Sequence, residues 1–222
     1  MKLLCCVVTC NRLEYTKRTI ASWSATARED DHLMIVDNAS TDGTREWLFE
    51  DATILLEKNL FPGAATNIGW HEGLKEFDAD LLMRSDNDIE YLPGWREEVE
   101  QAFTADPKLG QLGVLNRHED YDNKQPVTEK NGANVRWGQT GGNCVIRREL
   151  YDKGLRWTPG AWRPGGRDED AVLSAEIKSL GWTVAEVIPT VANNMAFGRF
   201  TDYEDYYRLT AGLRGLVPEL SV

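Results

Sequence analysis

The chain has 222 residues and a formal net charge of −11, from 25 lysines and arginines against 36 aspartates and glutamates. Hydrophobic residues make up 41% and charged residues 27%, which is ordinary for a soluble globular protein. The length allows one domain of above-average size or two small ones, and either can bury a core. The acidic balance argues against a general nucleic-acid binder, which needs a basic surface to meet phosphates.

The cysteines show neither a CxxC pair nor the spacing of a zinc site. Cys5 and Cys6 lie in an apolar run and are interpreted as small buried hydrophobic residues, which favours a reducing compartment and a cytoplasmic protein. A Cys10–Cys144 disulfide stays open as an alternative. The first apolar run ends at Thr9 and is too short for a signal peptide, and no stretch approaches the ~18 apolar residues of a membrane span.

Apolar periodicity alternates between strand and helix over residues 1–115. A continuous apolar run predicts a strand buried on both faces, whereas apolar residues three, four or seven apart predict a helix. The predicted strands are 3–9, 32–37, 53–57, 80–85 and 112–115, and the predicted helices lie at 13–23, 43–50, 70–77 and 95–103. This alternation predicts an α/β fold with a mostly parallel sheet covered by helices on both faces.

The alternation stops after residue 115. The polar stretch 116–136 has no period and is interpreted as an irregular substrate loop. The later predicted elements are a strand over 143–147, a helix over 173–180, a strand over 183–188 and a C-terminal helix over 202–213. Neither an internal repeat nor a long linker interrupts the chain, so residues 1–222 are predicted to form a single domain.

Three predicted strands end in polar residues, namely Thr9-Cys10-Asn11-Arg12, Asp37-Asn38-Ala39-Ser40 and Ser85-Asp86-Asn87-Asp88. Ligands of an open parallel sheet bind beyond the carboxyl ends of its strands, so we expect these three ends to converge on one edge. A single acidic strand end is commonly only a helix N-cap, and that alternative stays open for Asp37.

The Asp86-Asn87-Asp88 triplet suggests a metal site. In extended backbone the side chains at i and i+2 point the same way, so Asp86 and Asp88 would share one face. Two such carboxylates raise each other's pKa unless a cation lies between them. Oxygen ligands favour a hard divalent cation, Mg²⁺ or Mn²⁺, with open positions for water and phosphate. A solvated acidic turn is the alternative, because such triplets often occur by chance.

These pieces, in this order, resemble a family 2 glycosyltransferase of the GT-A fold. The most specific block is Asp37-Asn38-x-Ser40-x-Asp42-Gly43-Thr44, with the acidic triplet about 45 residues later. The other matching pieces are 7–12, 59–69, Gly141-Gly142 before Arg147-Arg148, and Glu169-Asp170 opening a helix that closes with Gly181-Trp182. The resemblance covers residues 3 to about 190 and implies a Rossmann-like GT-A domain.

The resemblance implies a role for each matching position. The nucleotide-binding positions are Thr9, Asn11, Arg12, Asp37, Asn67 and Asp86, with Asp37 accepting a hydrogen bond from the base, typically the uracil N3–H. Asp86 and Asp88 would hold the Mn²⁺ or Mg²⁺ that bridges the donor diphosphate. The acceptor-binding positions are Gly141, Gly142, Trp162 and Glu169, and Asp170 would be the general base.

Two positions depart from the family pattern. Thr66 stands where many relatives carry an arginine, so contacts from that helix to phosphate or base are expected to differ. Many relatives also place a histidine after the last strand as a third metal ligand, whereas this chain has Asn193 and Asn194 near that point. An amide oxygen is a weaker ligand, so the metal is expected to bind mainly through Asp88 and the donor diphosphate.

Residues and resemblance together predict an inverting, metal-assisted transfer of a sugar from a nucleotide-diphosphate donor, with a UDP-sugar first, to a hydroxyl. Residues 1–115 would bind the donor and 116–222 an acceptor glycan, protein or other hydroxyl-bearing molecule. A non-catalytic sugar-binding module stays open, as does a pyrophosphorylase-like nucleotidyltransferase, although 9–12 lacks the glycine-rich loop of the latter. For 168–170 the alternative is an acidic helix N-terminus, which the helix dipole favours.

Overall fold

The computed structural model of the chain describes residues 1–49, 53–115, 127–130, 133–137, 140–158, 169–187 and 191–196. Its strands are β1 (Leu3–Thr9), β2 (His32–Asp37), β3 (Thr53–Leu55), β4 (Leu81–Asp86), β5 (Ile89–Tyr91), β6 (Leu109–Gly113), β7 (Val127–Lys130), β8 (Ala133–Trp137), β9 (Cys144–Arg147), β10 (Thr183–Val187) and β11 (Ala192–Asn194). Its helices are α1 (Leu13–Thr26), α2 (Thr44–Leu48), α3 (Phe61–Glu76), α4 (Trp95–Ala105), α5 (Arg148–Asp152) and α6 (Glu169–Ser179).

Within the described ranges, a nine-stranded sheet has the order β3-β2-β1-β4-β9-β6-β10-β8-β7. The pairs β1–β2, β2–β3, β1–β4 and β6–β10 are parallel. Strands β9 and β8 run against the neighbours on either side of them. Most strands therefore point the same way, and the predicted α/β class with a mostly parallel central sheet is confirmed.

Strand β1 explains why helices cover both faces of the sheet. All of its residues are buried, and successive side chains of a strand point to opposite faces. Its odd-numbered hydrophobic residues, from Leu3, join one core with Trp23 of α1. Its even-numbered ones, from Leu4, join a second core with Trp70 of α3. The continuous apolar run is thus the signature of a strand between two cores.

Helix α3 packs close against β1 because glycines face the strand. A Cβ added at Gly69 would lie 2.3 Å from Cys6 Sγ, and one added at Gly73 would lie 2.9 Å from Leu4. Neither position has room for a side chain without movement of its neighbours. The close approach sets the first turn of α3 beside the carboxyl ends of β1 and β2.

The prediction of an irregular loop over 116–136 is wrong for the part that the structure describes. Strands β7 and β8 form an antiparallel pair there, and β8 extends the sheet by pairing with β10. The sequence carries signals for this pair that the prediction overlooked: Ala133 to Trp137 alternates between apolar and polar residues, and the dipeptide between the two strands in the sequence is Asn131-Gly132. The rest of that stretch and the predicted helix at 202–213 lie outside the described residues.

Smaller differences concern element ends and the thiols. Strand β6 begins at Leu109, three residues before its predicted start, and the three-residue strands β5 and β11 pair antiparallel without a clear sequence signal. The four cysteines are free, so the Cys10–Cys144 alternative is wrong, and Cys5 and Cys6 are buried as predicted. Among the helices described, none is long and apolar enough to cross a membrane.

Candidate functional site

The three polar strand ends meet at one edge of the sheet. Thr9 pairs with Asp37 across β1 and β2, and Val8 pairs with Asp86 across β1 and β4. The backbone N–H of Asn38 donates to the carbonyl of Thr9 at 2.7 Å, which extends the pairing into the loops. The expected convergence at the ligand-binding edge of an α/β sheet is therefore present.

The loop after β1 holds two consecutive residues in the left-handed backbone region. Asn11 and Arg12 have φ angles of 59° and 64°, which cost energy for residues other than glycine. The backbone N–H of Asn11 donates to Ser40 Oγ at 2.7 Å, and the backbone N–H of Thr41 donates to Asn11 Oδ1 at 2.7 Å. These bonds tie the first loop to the second.

Thr9 lies beneath this loop rather than on its surface. Its side chain is buried, and its hydroxyl is 2.9 Å from the hydroxyl of Thr16 and accepts from Asn87 Nδ2 at 3.0 Å. The hydroxyl thus joins β1, α1 and the turn after β4. In this structure the buried Thr9 hydroxyl stabilises the edge from inside the fold, and its predicted nucleotide contact stays a prediction.

Asp37 presents a buried carboxylate oxygen at the end of β2. Its Oδ2 accepts from the backbone N–H of Ser40 at 3.2 Å and lies 3.5 Å from Arg45 Nη1. Its Oδ1 is buried without a hydrogen-bond partner, a costly condition that a ligand donor would relieve. The helix-cap alternative for Asp37 is wrong, because α2 begins only at Thr44 and the Thr44 N–H donates to Asp42.

Asn67 has a structural contact that the sequence did not indicate. Its Nδ2 donates to the carbonyl of Trp157 at 2.8 Å, and its Oδ1 accepts from the N–H of Trp157 at 3.0 Å. Both ends of the amide are thereby hydrogen-bonded to the backbone of Trp157, and these two bonds clamp that segment, which is distant in sequence, against α3. The predicted nucleotide contact of Asn67 stays a prediction that this geometry does not favour.

Asp88 does not share an extended backbone with Asp86. Strand β4 ends at Asp86, and Asp88 lies in the turn before β5, so the argument from i, i+2 alternation fails. Arg12 Nη1 donates to Asp88 Oδ2 at 2.9 Å, and Arg12 Nη2 donates to Asn87 Oδ1 at 2.6 Å. Burial raises the pKa of Asp88, Arg12 opposes this rise, and Asp86 adds to it.

Asp86 sits in a more open environment. Its side chain is 30% exposed, against 9% for Asp88. Asn143 Nδ2 donates to Asp86 Oδ2 at 2.9 Å, while the backbone N–H of Asp86 donates to Asn143 Oδ1 at 2.7 Å. This reciprocal pair orients the Asp86 carboxylate at the end of β4.

The residues at this edge fit a divalent cation only in part. The described residues contain no group of three or more His, Cys, Asp or Glu side chains arranged for a metal. Asp88 Oδ1 is nevertheless buried without a hydrogen-bond partner, and Asp86 supplies a second carboxylate. The backbone N–H of Met195 donates to the carbonyl of Asp88 at 2.8 Å, which brings β11 and its Asn194 to the same turn.

The start of α6 meets the end of β4 through Arg84. Arg84 Nη1 donates to Glu169 Oε1 at 3.0 Å and to Asp170 Oδ1 at 3.4 Å. Glu169 is fully buried, and its Oε2 accepts from the backbone N–H of Gly63 at 3.2 Å. Burial raises the pKa of Glu169, and Arg84 opposes the rise. Asp170 keeps 16% of its side chain exposed.

This geometry changes the interpretation of the predicted acceptor residues. Glu169 has no exposed surface to offer an acceptor and instead pairs with Arg84, so its acceptor contact is not supported. Gly141 and Gly142 are buried, and a Cβ at Gly142 would lie 2.7 Å from Arg84 Nη2. Gly142 makes room for the guanidinium. Trp162 lies outside the described residues.

Arg84 and Asn143 are the polar residues of this edge that sequence reasoning missed. A charged residue directly after the apolar run 81–83 of a predicted strand was the available signal for Arg84, since charged side chains are almost never fully buried unless paired. Asn143 gave no comparable signal, because its partner Asp86 lies 57 residues away.

The chain has the GT-A fold of nucleotide-sugar transferases, and the edge described above lies at the carboxyl ends of its parallel strands, where open α/β sheets bind ligands. More specifically, it belongs to the family Glycosyl transferase family 2, which matches residues 5–155 of this sequence. The family match covers β1 to β9 and α5. It therefore includes all three polar strand ends but not Asp170.

Solved structures show the same fold at low identity. A mannosyltransferase from Pyrobaculum calidifontis, in complex with GDP-Man and Mn²⁺, has a TM-score of 0.63 and 19% identity over 96% of this chain and 61% of its own. S. aureus TarS 1–349 in complex with UDP has a TM-score of 0.62 and 16% identity, covering 100% of this chain and 67% of its own. The chain thus spans about three fifths of the mannosyltransferase. No curated protein matches the sequence.

Replacing Asn67 with Ala tests whether this side chain clamps the backbone or binds nucleotide. The change leaves the N–H and carbonyl of Trp157 without their partners, so we expect the free energy of unfolding to fall by about 1–3 kcal/mol. Affinity for UDP should stay close to wild type. Urea unfolding and calorimetric titration with UDP measure the two quantities.

The matched control is His71→Ala, a change to an exposed side chain on the same helix. It should leave both quantities unchanged. Unaltered stability combined with weaker UDP binding by Asn67→Ala would show that the nucleotide role is correct and the clamp is unimportant.

Proposed function

We propose that this domain transfers a sugar from a nucleotide-diphosphate donor to an acceptor hydroxyl, with inversion of the anomeric configuration and with the help of a divalent cation. UDP-sugars are the first candidates for the donor. The observation that carries this proposal is the meeting of Asp37, Asp86 and Asp88 at one sheet edge, with Asp170 joined to the same edge through Arg84. Membership of family 2 supports the reaction class.

Asp37 is the proposed contact to the base. Its Oδ2 is already engaged by Ser40 and lies near Arg45, whereas its Oδ1 lacks a donor. A single remaining acceptor suits the one imide N–H of uracil. Guanine would present two adjacent donors, which suit a carboxylate with both oxygens available. This difference supports UDP over GDP, and the two structural neighbours named above were solved with GDP-Man and with UDP.

Asp88 and Asp86 are the proposed metal-holding residues. When bound, a divalent cation would neutralise charge that develops on the departing diphosphate. The partial ligand set suits an ion that binds together with the donor, because phosphate oxygens would complete its coordination. Arg12 already neutralises part of the Asp88 charge, and its guanidinium would lie beside a diphosphate held at this turn.

Asp170 is the proposed general base. The acceptor oxygen would attack the anomeric carbon as the bond from that carbon to the diphosphate oxygen breaks, and the hydroxyl proton would pass to the Asp170 carboxylate. The diphosphate leaves with the bonding electron pair. Attack opposite the leaving group inverts the anomeric configuration. The Asp170 side chain keeps 16% of its surface exposed, so an acceptor hydroxyl could reach its carboxylate, as this role requires.

A nucleotide-sugar-binding module without catalysis is the second candidate. It is favoured by the absence, among the residues described, of a cluster of three metal-ligating side chains. Release of UDP from UDP-glucose in the presence of Mn²⁺ separates the two functions. A catalytic domain turns over with water as a slow acceptor, whereas a binding module only retains the donor.

Asp37→Ala should weaken UDP binding with little loss of fold stability. Its removal leaves the base N–H without a buried acceptor, which costs roughly 1–3 kcal/mol of binding free energy. Calorimetric titration gives the dissociation constant, and thermal unfolding gives the stability. Asp152→Ala, which removes an exposed carboxylate remote from this edge, is the control. An unchanged dissociation constant for Asp37→Ala would remove this residue from the site.

UDP binding should depend on a divalent cation through Asp88. We expect wild-type affinity to fall about tenfold when EDTA replaces Mn²⁺, which corresponds to about 1.4 kcal/mol. Asp88→Ala should bind UDP equally in both conditions, and Asp152→Ala should behave as wild type. Calorimetry in Mn²⁺ and in EDTA measures each case. Equal wild-type affinity in both conditions would make the metal assignment wrong.

Asp170→Asn should reduce sugar transfer by about 10²–10⁴-fold, the usual contribution of a general base. The amide keeps the shape of the side chain but does not accept the proton, so UDP affinity should stay nearly constant. Initial rates of UDP release measure transfer, and NMR of the product gives its anomeric configuration. Glu176→Gln, an exposed change on the same helix, is the control.

Transfer at the wild-type rate by Asp170→Asn would exclude Asp170 as the base. A product that retains the donor configuration would overturn the inverting mechanism itself.

A further inference from the structure

Arg84 is a buried cation in a strand whose sequence would suit an apolar residue. It lies on β4 between Met83 and Ser85, and its side chain is only 5% exposed. Burying a guanidinium costs free energy unless carboxylates and hydrogen bonds compensate. Because the sheet at this point is covered on both faces, an aliphatic side chain would be the simpler solution for packing alone.

The guanidinium joins carboxylates from two parts of the fold. Its Nη2 donates to Asp86 Oδ1 at 3.3 Å, on the same strand. Its Nη1 donates to Glu169 Oε1 at 3.0 Å and to Asp170 Oδ1 at 3.4 Å, both at the start of α6. The residues joined to Arg84 on α6 lie 85 and 86 positions away in sequence.

The residues around Arg84 leave space for its guanidinium and stabilise its charge. The guanidinium carbon lies 4.4 Å from the centroid of the Trp157 ring, a cation–π distance. Gly142 leaves the space that a Cβ would take from the guanidinium. Burial works against the charge of Arg84, but Asp86, Glu169 and Asp170 together raise its pKa above the ordinary value. The planar fork of arginine can reach all three carboxylates, which the point charge of lysine would not do.

We propose that Arg84 is a positioning residue that fixes the Asp170 carboxylate relative to Asp86, and so aligns the acceptor side of the reaction with the donor side. This inference rests on the proposed function, because it gives Asp170 the role of general base. Glu169 contributes to the same positioning, since it accepts hydrogen bonds both from the Arg84 guanidinium and from the backbone N–H of Gly63 in the first turn of α3.

Alignment of this kind affects the rate of sugar transfer more than it affects the affinity for the donor. Displacing a reacting group by about 1 Å can cost 10²-fold in rate, because the attacking hydroxyl, the base and the anomeric carbon must be in line. Loss of Arg84 should therefore lower kcat while leaving donor affinity nearly constant. A role in general stability would instead lower the folded fraction without changing the rate per folded molecule.

The chain supplies a matched control in Arg96. This guanidinium is also fully buried, and it pairs with Asp31 through Nε to Oδ2 at 2.7 Å and Nη2 to Oδ1 at 3.0 Å. It also donates to the carbonyl of Met1. It lies at the amino end of β1, opposite the proposed active edge. Arg96→Met thus removes a buried cation of the same kind without touching the site.

The experiment compares Arg84→Met, Arg84→Lys and Arg96→Met, each alone and in combination with Asp170→Asn. The assay is release of UDP from UDP-glucose and UDP-N-acetylglucosamine in Mn²⁺, with water as acceptor, normalised to the folded fraction from circular dichroism. Calorimetry gives the UDP dissociation constant of each variant. Arg84→Lys keeps the charge and serves as the test should Arg84→Met fail to fold.

We expect Arg84→Met to lower kcat by about 10–10²-fold, with a UDP dissociation constant close to wild type. Arg84→Lys should recover part of the lost rate. In the Asp170→Asn background, either change at Arg84 should cost little more, because the two residues act as one unit. Arg96→Met should lower stability, keep kcat near wild type and combine independently with Asp170→Asn.

Equal losses of rate from Arg84 changes in both backgrounds would overturn the inference, because Arg84 would then act independently of Asp170. So would a kcat for the Arg84 variants that matches that of Arg96→Met, or a loss confined to UDP affinity. Absence of UDP release by the wild-type protein would overturn the proposed function, and this inference with it. An active wild type with insensitive Arg84 variants would overturn the inference alone.

Discussion

Strand β1 is buried on both faces and hydrogen-bonded on both edges, and it sets the positions of Asp37 and Asp86 at the proposed active edge. Its parallel pairing with β2 and β4 brings Asp37 and Asp86 to the level of Thr9 and Val8. A shift of one residue along a strand would exchange the side chains that face the two cores. The two cores on either side of the sheet therefore also set the register of the candidate site.

Collecting carboxylates at one edge of an acidic protein has an electrostatic cost, and two arginines offset it. Arg12 neutralises Asp88 in the turn after β4, while Arg84 lies between Asp86 and the acidic start of α6. Both guanidiniums are largely shielded from water, so their attraction to carboxylates is screened less than on the surface. One arginine thus serves the proposed donor side, and the other connects that side to the proposed base.

Much of the fold could be predicted from local pattern. The apolar run 3–9 and the helical spacing of Trp95, Val99 and Phe103 each report burial directly, so β1 and α4 were found near their observed positions. Strands β5, β7 and β11 were missed because they are only three or four residues long, whereas β8 was missed although its five residues alternate between apolar and polar. The pairings of β5 with β11 and of β8 with β10 join segments far apart in sequence, and local composition does not report such partners.

The residues of the candidate site fall into the same two groups, those that the local sequence pattern predicts and those that it does not. Residues that end a strand, such as Asp37 and Asp86, could be assigned to the edge because strand ends in a parallel sheet converge. Residues whose role depends on a partner far along the chain could not, as Asn67 with Trp157 and Arg84 with Glu169 show. The extended-backbone argument for Asp88 failed because β4 ends at Asp86, two residues earlier. Asp88 lies in the turn that follows, where Arg12 donates to its carboxylate. Periodicity locates where a backbone ends, but the partner of a polar side chain depends on the packing of whole elements against one another. In this protein that packing makes Arg84, which follows the three apolar residues of β4, the link between two halves of the proposed active site.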